Sequence, residues 1–581
     1  MTGVLRFHLA LALVSAACFA QSANESNPAP TTSPQQTASS AKVVDGAATP
    51  VPENKAVAVT AANPLGEARS FYRKGDFTAA IAKYEEVLKV QPKSPDAYAG
   101  LVRVYLKQKN VEQAAQVVEQ GLAQSDSPRI HVARGEVWFR QGKITEAEAE
   151  WVKVINAGYP EARAYLGLAR VRRALAMYKT ERAMITKAHQ LDPDDPEIQQ
   201  QWAGTLAREE RIKYLESSIA GDNNWNPDEK ENIESYITYL KEFAKRNERP
   251  CRLVSDVTAT TAPLVPLLRD AHNLRGYGLS VVLNGHKSAL MLDTGAGGIL
   301  VTRSIAERAG ISKITENKVG GIGSKGRRNA YIGIADSIKV GDLEFQNCPV
   351  EVMESHSVVG QDGLIGADVF QKFLIELDLA DSRFKLSELP KRPGEVGQKP
   401  VLKSEDEDSG EESSEDTASD KAEAKSAEAK TSASSGPQDR YIAPEMQSYT
   451  RVLRFGHDLL VPTMIGNVPY KLFLMDTGAF GNSISPAAAR EVTKVSGDSH
   501  MTVKGISGSV DKVYSANKAV LQFGHLRQEN QDMVSFDTTS LSDSIGTEIS
   551  GFLGFALLRF LDIKIDYRDA LVDFEYVDKP R

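Results

Sequence analysis

The sequence predicts a multidomain protein in which an all-α helical solenoid is followed by two all-β lobes. Aromatic residues recur about every 34 residues between Phe71 and Trp138, a period typical of paired-helix repeats. Near Ala262 the spacing of apolar residues changes from a helical period to strand-like runs. Two phrases of the second half, "LMLDTGAGG" and "FLMDTGAFG", repeat one pattern. The repetition indicates that this half consists of two duplicated lobes.

The first residues, 1–23, predict a secretory signal peptide. A short apolar segment follows Arg6, and small residues stand at Ala17 and Ala20, as at a cleavage site. We therefore expect an exported protein, periplasmic or secreted. No later segment reaches the ~20 apolar residues of a membrane helix, so we expect no transmembrane segment in the mature chain. Lipid anchoring at Cys18 is the minority interpretation, because Ser15 stands where such signals usually carry Leu.

Two low-complexity segments are predicted to be disordered linkers. Residues 24–62 are rich in Ala, Pro, Thr, Ser and Gln, and residues 391–440 are acidic and poor in apolar side chains, so neither can build a core. The acidic segment holds nine acidic residues and no basic one between Ser404 and Asp420, which accounts for the formal charge of −8. Without it the chain is almost neutral. The sequence therefore has no basic surface for nucleic acid.

Residues 63–220 resemble tetratricopeptide repeats in the stretch "EARSFYRKGDFTAAIAKYEEVLKVQP" and its successors. The small residues Ala80, Ala114 and Ala147 recur where two helices must approach closely, and Gly75 and Gly142 fall at the turns within helix pairs. Three repeats are well formed, and a degenerate fourth is expected to cap the solenoid. The resemblance implies a protein or peptide partner on the concave face. A helical connector is predicted over residues 221–261.

The predicted lobes, 262–390 and 441–581, share four landmarks in one order. Each begins with a hairpin signal, continues to an Asp-Thr-Gly-Ala phrase, then to a glycine-rich loop, and ends with an apolar-apolar-Gly strand. In the first lobe these landmarks are Asn284-Gly285, Asp293, Val319–Gly326 and Gly366. In the second they are Gly466-Asn467, Asp476, Val503–Val510 and Gly554.

This constellation resembles the aspartic protease family, and its retroviral-type branch in particular, because Ala296 and Ala479 follow the two glycines. The resemblance implies a TPR-like solenoid joined to two aspartic-protease-like lobes about a pseudo-twofold axis. It implies that Asp293 and Asp476 share one proton and activate a water molecule without a metal or cofactor. The expected function is that of an exported aspartic endopeptidase whose repeats recruit a protein substrate or partner.

The resemblance also assigns supporting residues. Those expected beside the catalytic pair are Thr294, Gly295, Thr477, Gly478, Gly366 and Gly554, and those expected in flaps over the substrate are Gly321, Ile322, Gly323, Gly505 and Ile506. Residues 321–326 also fit a dinucleotide fingerprint, but no strand-helix-strand unit surrounds them. No cluster of His and Cys has metal-ligand spacing.

Three alternatives stay open from the sequence. The lobes could bind peptides without cutting them, so that the protein acts as a scaffold. Each lobe could instead pair with its copy in a second chain, which would make self-association a requirement for activity. Cys251 and Cys348 could form one disulfide bond or remain two separate thiols. The natural substrate and the partner of the repeats are not readable from the sequence.

Overall fold

The computed structural model describes residues 63–221, 227–246, 250–268, 274–354, 362–393, 439–498 and 501–577. A helical part precedes a β-rich part, and the predicted fold class is confirmed. The predicted signal peptide and N-terminal linker lie outside the described residues. So does the stretch 394–438 of the predicted acidic linker.

The helical part is a series of antiparallel helix pairs. Its helices are α1 (Pro64–Arg73), α2 (Phe77–Val90), α3 (Pro95–Lys107), α4 (Val111–Gln124), α5 (Pro128–Arg140), α6 (Ile144–Asn156), α7 (Ala162–Ala174), α8 (Tyr178–Leu191), α9 (Pro196–Ala203), α10 (Arg208–Gly221) and α11 (Pro227–Arg246). Asp76 caps α2 by accepting a hydrogen bond from the N–H of Ala79, and Asn110 caps α4 in the same way. Local capping thus sets the starts of α2 and α4.

Small and large residues alternate inside the repeats. The helix-approach residues Ala80, Ala114 and Ala147 are fully buried. Trp151 fills the gap between neighbouring helices, and a Cβ at Gly167 would lie 2.5 Å from its ring. The glycine on the neighbouring helix α7 therefore leaves room for the bulky ring. The degenerate fourth repeat forms a complete pair, α7 and α8, on which α9 packs.

The first lobe contains β1 (Arg252–Leu253), β2 (Thr260–Leu268), β3 (Leu274–Leu283), β4 (His286–Asp293), β5 (Ile299–Thr302), α12 (Arg303–Arg308), β6 (Lys313–Val319), β7 (Arg328–Val340), β8 (Leu343–Met353), β9 (Gly363–Gly366), β10 (Phe373–Asp378) and β11 (Arg383–Glu388). Six strands follow the order β3-β4-β9-β5-β8-β7, and pairing of β3 with β7 closes the sheet. The closed sheet removes the exposed edges that open sheets must protect.

The second lobe contains β12 (Thr450–Arg451), β13 (Leu453–Phe455), β14 (Asp458–Ile465), β15 (Val468–Asp476), β16 (Ser483–Ile484), α13 (Pro486–Arg490), β17 (Val495–Gly497), β18 (Lys504–Gly505), β19 (Gly508–Ser509), β20 (Val513–Phe523), β21 (Leu526–Phe536), α14 (Thr539–Ile545), β22 (Gly551–Gly554), α15 (Phe555–Leu558), β23 (Leu561–Asp566) and β24 (Leu571–Tyr576). Its order β14-β15-β22-β16-β21-β20, closed by β14 and β20, repeats that of the first lobe strand for strand.

The sheet of the first lobe continues from β3 through β2 into six strands that join the two lobes. Their order is β12-β24-β23-β10-β11-β2, so each lobe contributes three strands. The junction is the antiparallel pair β10 and β23, in which Ile375 lies opposite Ile565 and Leu377 opposite Ile563. All four side chains are fully buried. The two lobes of one chain therefore share a continuous hydrogen-bonded core.

The connector differs from its prediction. Helix α11 ends at Arg246, and the regular elements described between residues 250 and 261 are strands, β1 and the start of β2, so the prediction of a helical connector to residue 261 is wrong for its last part. A disulfide joins Cys251 to Cys348, and β1 pairs with β8 beside it. Cys251 has a φ of 52°, a conformation that cannot continue a helix. The covalent link and the strand pair hold this stretch against the first lobe.

The repeats pack directly on the second lobe. Arg140 and Phe139, at the end of α5, form hydrogen bonds with the segment before β22: the Glu548 N–H donates to the Arg140 carbonyl at 3.0 Å, and the Thr547 hydroxyl donates to the Phe139 carbonyl at 2.7 Å. One hydrophobic cluster contains Trp151 together with core residues of the second lobe. The solenoid and this lobe thus share an interface. Within the described part of the chain, no helix has the length and apolarity to cross a bilayer.

Candidate active site

The two aspartates of the repeated phrase end equivalent strands. Asp293 is the last residue of β4 and Asp476 the last of β15. Each strand runs parallel to the apolar-apolar-Gly strand of its own lobe, with Asp293 opposite Gly366 and Asp476 opposite Gly554. Both carboxyl groups are buried, with 8% of each residue exposed. The duplicated topology therefore delivers two carboxyl groups to one place.

The two Asp-Thr-Gly loops are tied together by a reciprocal pair of threonines. The hydroxyl of Thr294 donates to the carbonyl of Met475 at 2.8 Å and accepts the N–H of Thr477 at 3.0 Å. The hydroxyl of Thr477 donates to the carbonyl of Leu292 at 2.9 Å and accepts the N–H of Thr294 at 3.0 Å. Both threonines are buried. These four bonds cross between lobes of the same chain and make the approach of the loops symmetrical.

Glycine is required after each threonine. A Cβ at Gly295 would lie 2.6 Å from Cγ of Asp476, and a Cβ at Gly478 would collide with the carboxyl group of Asp293. The missing side chains let each loop approach the carboxylate of the other lobe. All six predicted supporting residues, Thr294, Gly295, Thr477, Gly478, Gly366 and Gly554, are thus brought together around the aspartates.

The two carboxyl groups have different surroundings. Asp293 accepts one hydrogen bond, from the Gly295 N–H at 2.9 Å. Asp476 accepts two at the same oxygen, from Gly478 at 2.8 Å and Ala479 at 2.9 Å. Burial raises the pKa of both, and the neighbouring charge of Asp476 helps to raise the pKa of Asp293 well above its usual range. The additional donor favours the ionised form of Asp476, so a shared proton is biased toward Asp293.

The glycine-rich loops meet tip to tip. The N–H of Ser507 donates to the carbonyl of Ile322 at 3.1 Å, and the N–H of Lys325 donates to the carbonyl of Ser507 at 2.9 Å. The N–H of Gly321 also donates to the Ser507 hydroxyl at 3.2 Å. The predicted flap residues Gly321, Ile322 and Gly323 therefore lie against Gly505 and Ile506 of the other lobe.

Each flap isoleucine packs in apolar surroundings of the opposite lobe. Ile506 packs against a cluster of the first lobe that includes Met291 and Leu300. Ile322 packs against the cluster shared by the second lobe and the repeats. Residues 321–326 connect β6 to β7 and open no helix, so the dinucleotide interpretation has no support from the fold.

Several residues around this site were not anticipated from the sequence. Ser507 of the second flap, only 3% exposed, forms hydrogen bonds with the first flap. Asp368 accepts a hydrogen bond from Gly298 in the first aspartate loop, and His457 packs against Gly297. None has a repeated spacing that would reveal it, although the difference between "GAGG" and "GAFG" hinted that the two loops have different neighbours. No cluster of potential metal ligands occurs among the residues that the structure describes.

Comparison with known families agrees with this geometry. The family model described as "Aspartyl protease" matches residues 279–369, which include β4 with Asp293 and β9 with Gly366. A model described as "Tetratricopeptide repeat" matches residues 71–136. The chain contains an aspartyl protease domain and tetratricopeptide repeats. The second lobe repeats the strand order of the aspartyl protease domain.

Curated relatives match over a limited stretch. DNA damage-inducible protein 1 of Neurospora crassa is 33% identical over 104 residues, which are 18% of this chain and 23% of that protein. The UBA domain-containing protein Mud1 of Schizosaccharomyces pombe is 26% identical over 110 residues, 19% of this chain and 32% of that protein. The chain therefore spans about a quarter to a third of the length of these relatives.

Solved structures resemble separate parts of the chain. A retropepsin-like aspartic protease from Rickettsia conorii is 17% identical and covers 24% of this chain and 96% of its own, with a TM-score of 0.18. A thermophilic TPR protein of Thermus thermophilus is 19% identical and covers 24% of this chain and 79% of its own, with a TM-score of 0.21.

Proposed function

We propose that the protein is an aspartic endopeptidase whose catalytic pair, Asp293 and Asp476, forms within one chain. The observation that carries the proposal is the set of four reciprocal threonine hydrogen bonds, which hold the two aspartate loops together across the lobes. No second chain is needed to complete this arrangement. The alternative in which lobes pair between chains is therefore the weaker candidate.

The proposed reaction uses the asymmetry of the pair. Ionised Asp476 takes a proton from a water molecule, whose oxygen attacks the carbonyl carbon of the scissile amide, while protonated Asp293 gives its proton to the carbonyl oxygen. One hydroxyl proton of the resulting gem-diol returns to Asp293 as the C–N bond breaks. Asp476 then gives its proton to the leaving nitrogen. Water is consumed, a carboxyl group and an amine are released, and both side chains return to their starting states.

The test is cleavage of a mixed peptide library by the purified chain. Asp293→Asn and Asp476→Asn should each remove nearly all activity, because an amide can neither accept the water proton nor share the second one. A transition-state mimic with a central hydroxyl should inhibit the parent. If either single variant keeps about half the parental rate, pairing within one chain is wrong. If the parent binds peptides but leaves them intact, the scaffold function becomes the better proposal.

We further propose a peptide or protein partner for the repeats. A groove of about 230 Å³ opens on the repeats, and its lining includes Tyr72, Tyr84 and Arg103. Aromatic rings and guanidinium groups of this kind are common anchors in protein interfaces. Exchange of the groove residue Arg103 for Ala should weaken capture of a partner without changing cleavage of short peptides. Equal loss of both would contradict a separate recruiting role.

Export remains part of the proposal. The apolar segment of residues 1–23 supports it, and so does the disulfide between Cys251 and Cys348, because such bonds persist in oxidising compartments. Cell fractionation of the full chain, with mass measurement of the mature N-terminus, is the test. Uncleaved protein with free thiols would contradict export.

A further inference from the structure

A cluster of buried charged side chains lies beside the first aspartate loop and has no part in the proposed reaction. Asp368 and Asp458 are 4% and 5% exposed. Asp368 comes from the first lobe and Asp458 from the second, where it begins β14. Buried carboxyl groups are costly unless they are paired or hydrogen-bonded. Their partners therefore indicate what the cluster does.

From the first lobe, Asp368 fixes the end of the aspartate loop. Its Oδ1 accepts a hydrogen bond from the N–H of Gly298 at 2.9 Å. The carbonyl of Gly298 in turn accepts the N–H of Gly366 at 2.7 Å. Gly366 is the residue that pairs with Asp293. Both backbone polar groups of Gly298, its N–H and its carbonyl, are thus hydrogen-bonded.

From the second lobe, His457 reaches the same loop. A Cβ at Gly297 would lie 2.7 Å from Nδ1 of His457, so the imidazole occupies the space that this glycine leaves free. The other nitrogen, Nε2, lies 3.4 Å from Oδ1 of Asp458. The imidazole is therefore placed between the first aspartate loop and a buried carboxyl group of the second lobe.

The second aspartate loop carries different residues at the corresponding positions. Phe480 stands four residues after Asp476, as Gly297 stands four residues after Asp293, and it is 52% exposed. A neutral amide group, that of Asn482, accepts the N–H of Gly554 there.

The charges around His457 are mainly negative. The charged groups that face this region are Asp368 and Glu351 of the first lobe and Asp458, Asp476 and Arg454 of the second. Burial raises the pKa of Asp458 to about 6, and a protonated imidazole at His457 opposes that rise. The same positive charge acts on Asp476 against the effect of burial on its pKa. A cation at this position favours the ionised forms of these carboxyl groups.

We propose that His457 is a positioning residue that holds the first aspartate loop from the second lobe and biases the shared proton of the catalytic pair toward Asp293. The positioning part rests on the contact with Gly297 and on the 3.4 Å approach of Nε2 to the carboxyl group of Asp458. The charge part rests on the proposed peptidase function. The two parts have separate readouts.

Hydrogen exchange followed by mass spectrometry tests positioning without any need for activity. In His457→Ala, exchange of the segment 293–299 should become several-fold faster, while the equivalent segment 476–482 should stay protected. The control is His525→Gln, because His525 is exposed at the turn between β20 and β21. Unchanged exchange in a folded His457→Ala variant would overturn the positioning role.

The pH dependence of peptide cleavage tests the charge role. His457→Gln keeps a polar group that cannot carry a positive charge, so Asp476 should ionise at higher pH and the acid limb of kcat/KM should move up by about half a unit. The effect should appear in kcat more than in KM, and His525→Gln should leave the profile in place. If the pH profile of kcat/KM for His457→Gln coincides with that of the parent, the charge role is overturned. A parent without peptidase activity would overturn the proposed function and this role together, while hydrogen exchange would still decide positioning.

Discussion

Thr294 and Thr477 are the residues that make one site out of two lobes. Each hydroxyl both donates and accepts across the lobe boundary, so its loss leaves a buried N–H and a buried carbonyl without partners. The cost of such unsatisfied groups exceeds the net gain from an ordinary hydrogen bond. The threonines therefore contribute to stability as well as to geometry.

Thr294→Val should lower the free energy of unfolding by about 1–3 kcal/mol and reduce peptide cleavage strongly. The change keeps the shape of the side chain but removes the hydroxyl. Urea unfolding and cleavage rates measure the two effects. Thr294→Ser, which retains the hydroxyl, is the matched control and should stay close to the parent. Equal behaviour of the two variants would show that the hydroxyl is unimportant.

The alanines after the two glycines should set the working pH. Methyl groups at Ala296 and Ala479 cannot donate to the aspartates, whose pKa values burial already raises, so a bell-shaped profile centred in mildly acidic to near-neutral conditions is expected. Changing both alanines to Ser adds donors that favour the ionised forms and should shift the optimum toward acid by about one unit. A parental optimum as acidic as that of pepsin-like enzymes would contradict this reasoning.

Glu351 should make stability depend on pH. Burial raises its pKa to about 7, although a hydrogen bond from Asn317 opposes the shift. An unfolded chain ionises this group at about pH 4.3, so its stabilising contribution is complete below that pH and is lost as pH rises through 7. The free energy of unfolding of Glu351→Gln, relative to that of the parent, should therefore rise by about 2 kcal/mol between about pH 5 and about pH 8.

Urea unfolding at the two pH values measures this difference. Glu388→Gln, at an exposed position of β11, is the control and should follow the parent at both. A constant offset between Glu351→Gln and the parent would show that Glu351 does not titrate in this range.

At the residue scale, the sequence predicted the site residues that stand in the duplicated phrases, but it did not predict contacts that occur in one lobe without a counterpart phrase in the other. Asp293 and Asp476 stand in matching phrases, so their meeting followed from duplication. His457 and Gly297 are 160 residues apart and lie on different lobes, and no periodicity links them. Contacts that break the pseudo-symmetry depend on the packing of the lobes, which local sequence patterns do not specify.

Among the elements, the two flap hairpins differ in form and contact each other through hydrogen bonds. The first is a loop between two long strands, whereas the second is the two-residue pair β18 and β19. Their glycines were predictable as turn signals. Their mutual hydrogen bonds were not, because neither hairpin contains a pattern that identifies its partner.

Gly505→Ala should disturb the contact between the flaps. A Cβ at this position would lie 2.5 Å from the carbonyl oxygen of Ile322, so the tips must separate. We expect KM to rise and kcat/KM to fall about tenfold. The matched control is Gly497→Ala in β17, where a Cβ meets no atom within 4 Å. Unchanged kinetics for Gly505→Ala would show that flap contact is dispensable for cleavage.

The connector helices have an element-level role that the sequence did not indicate. Tyr239 and Phe243 of α11 pack with Ile332 and Ile334 of β7, one of the two strands that carry the first flap. The apolar face of α11 was visible as a helical pattern, but its packing partner was not. The connector thus supports the flap hairpin in addition to joining two domains.

At the scale of the whole molecule, the repeats are not a separate recruiting domain, because they form an interface with the second lobe. Asp543, whose side chain is 9% exposed, pairs with two cations of the repeats, Arg140 at 3.0 Å and Lys109 at 3.2 Å. The sequence predicted two separate folds and contained no signal for this contact. The reason is physical, since docking depends on surfaces that form only after each part folds.

Asp543→Ala should destabilise the folded chain by about 2–4 kcal/mol, because it leaves two partly buried cations without their anion. All four tryptophans lie between residues 138 and 225, so tryptophan fluorescence reports on the helical part while inhibitor binding reports on the lobes. The two transitions should coincide in urea for the parent and separate in the variant.

The control is Glu376→Ala, which breaks the more exposed pair with Lys385 and should cost less than about 1 kcal/mol. Coincident transitions in Asp543→Ala would contradict coupling through this pair.

The sheet shared by β10 and β23 has a consequence for how the molecule could be divided. Because the junction between the lobes is a buried strand pair, a cut within residues 394–438 would remove the covalent connection but not the hydrogen-bonded one. Two separately produced polypeptides, ending and beginning in that stretch, should find each other and complement. The proposed peptide cleavage would then rise with the product of two concentrations, and a site built within one chain would have become a titratable, two-component one.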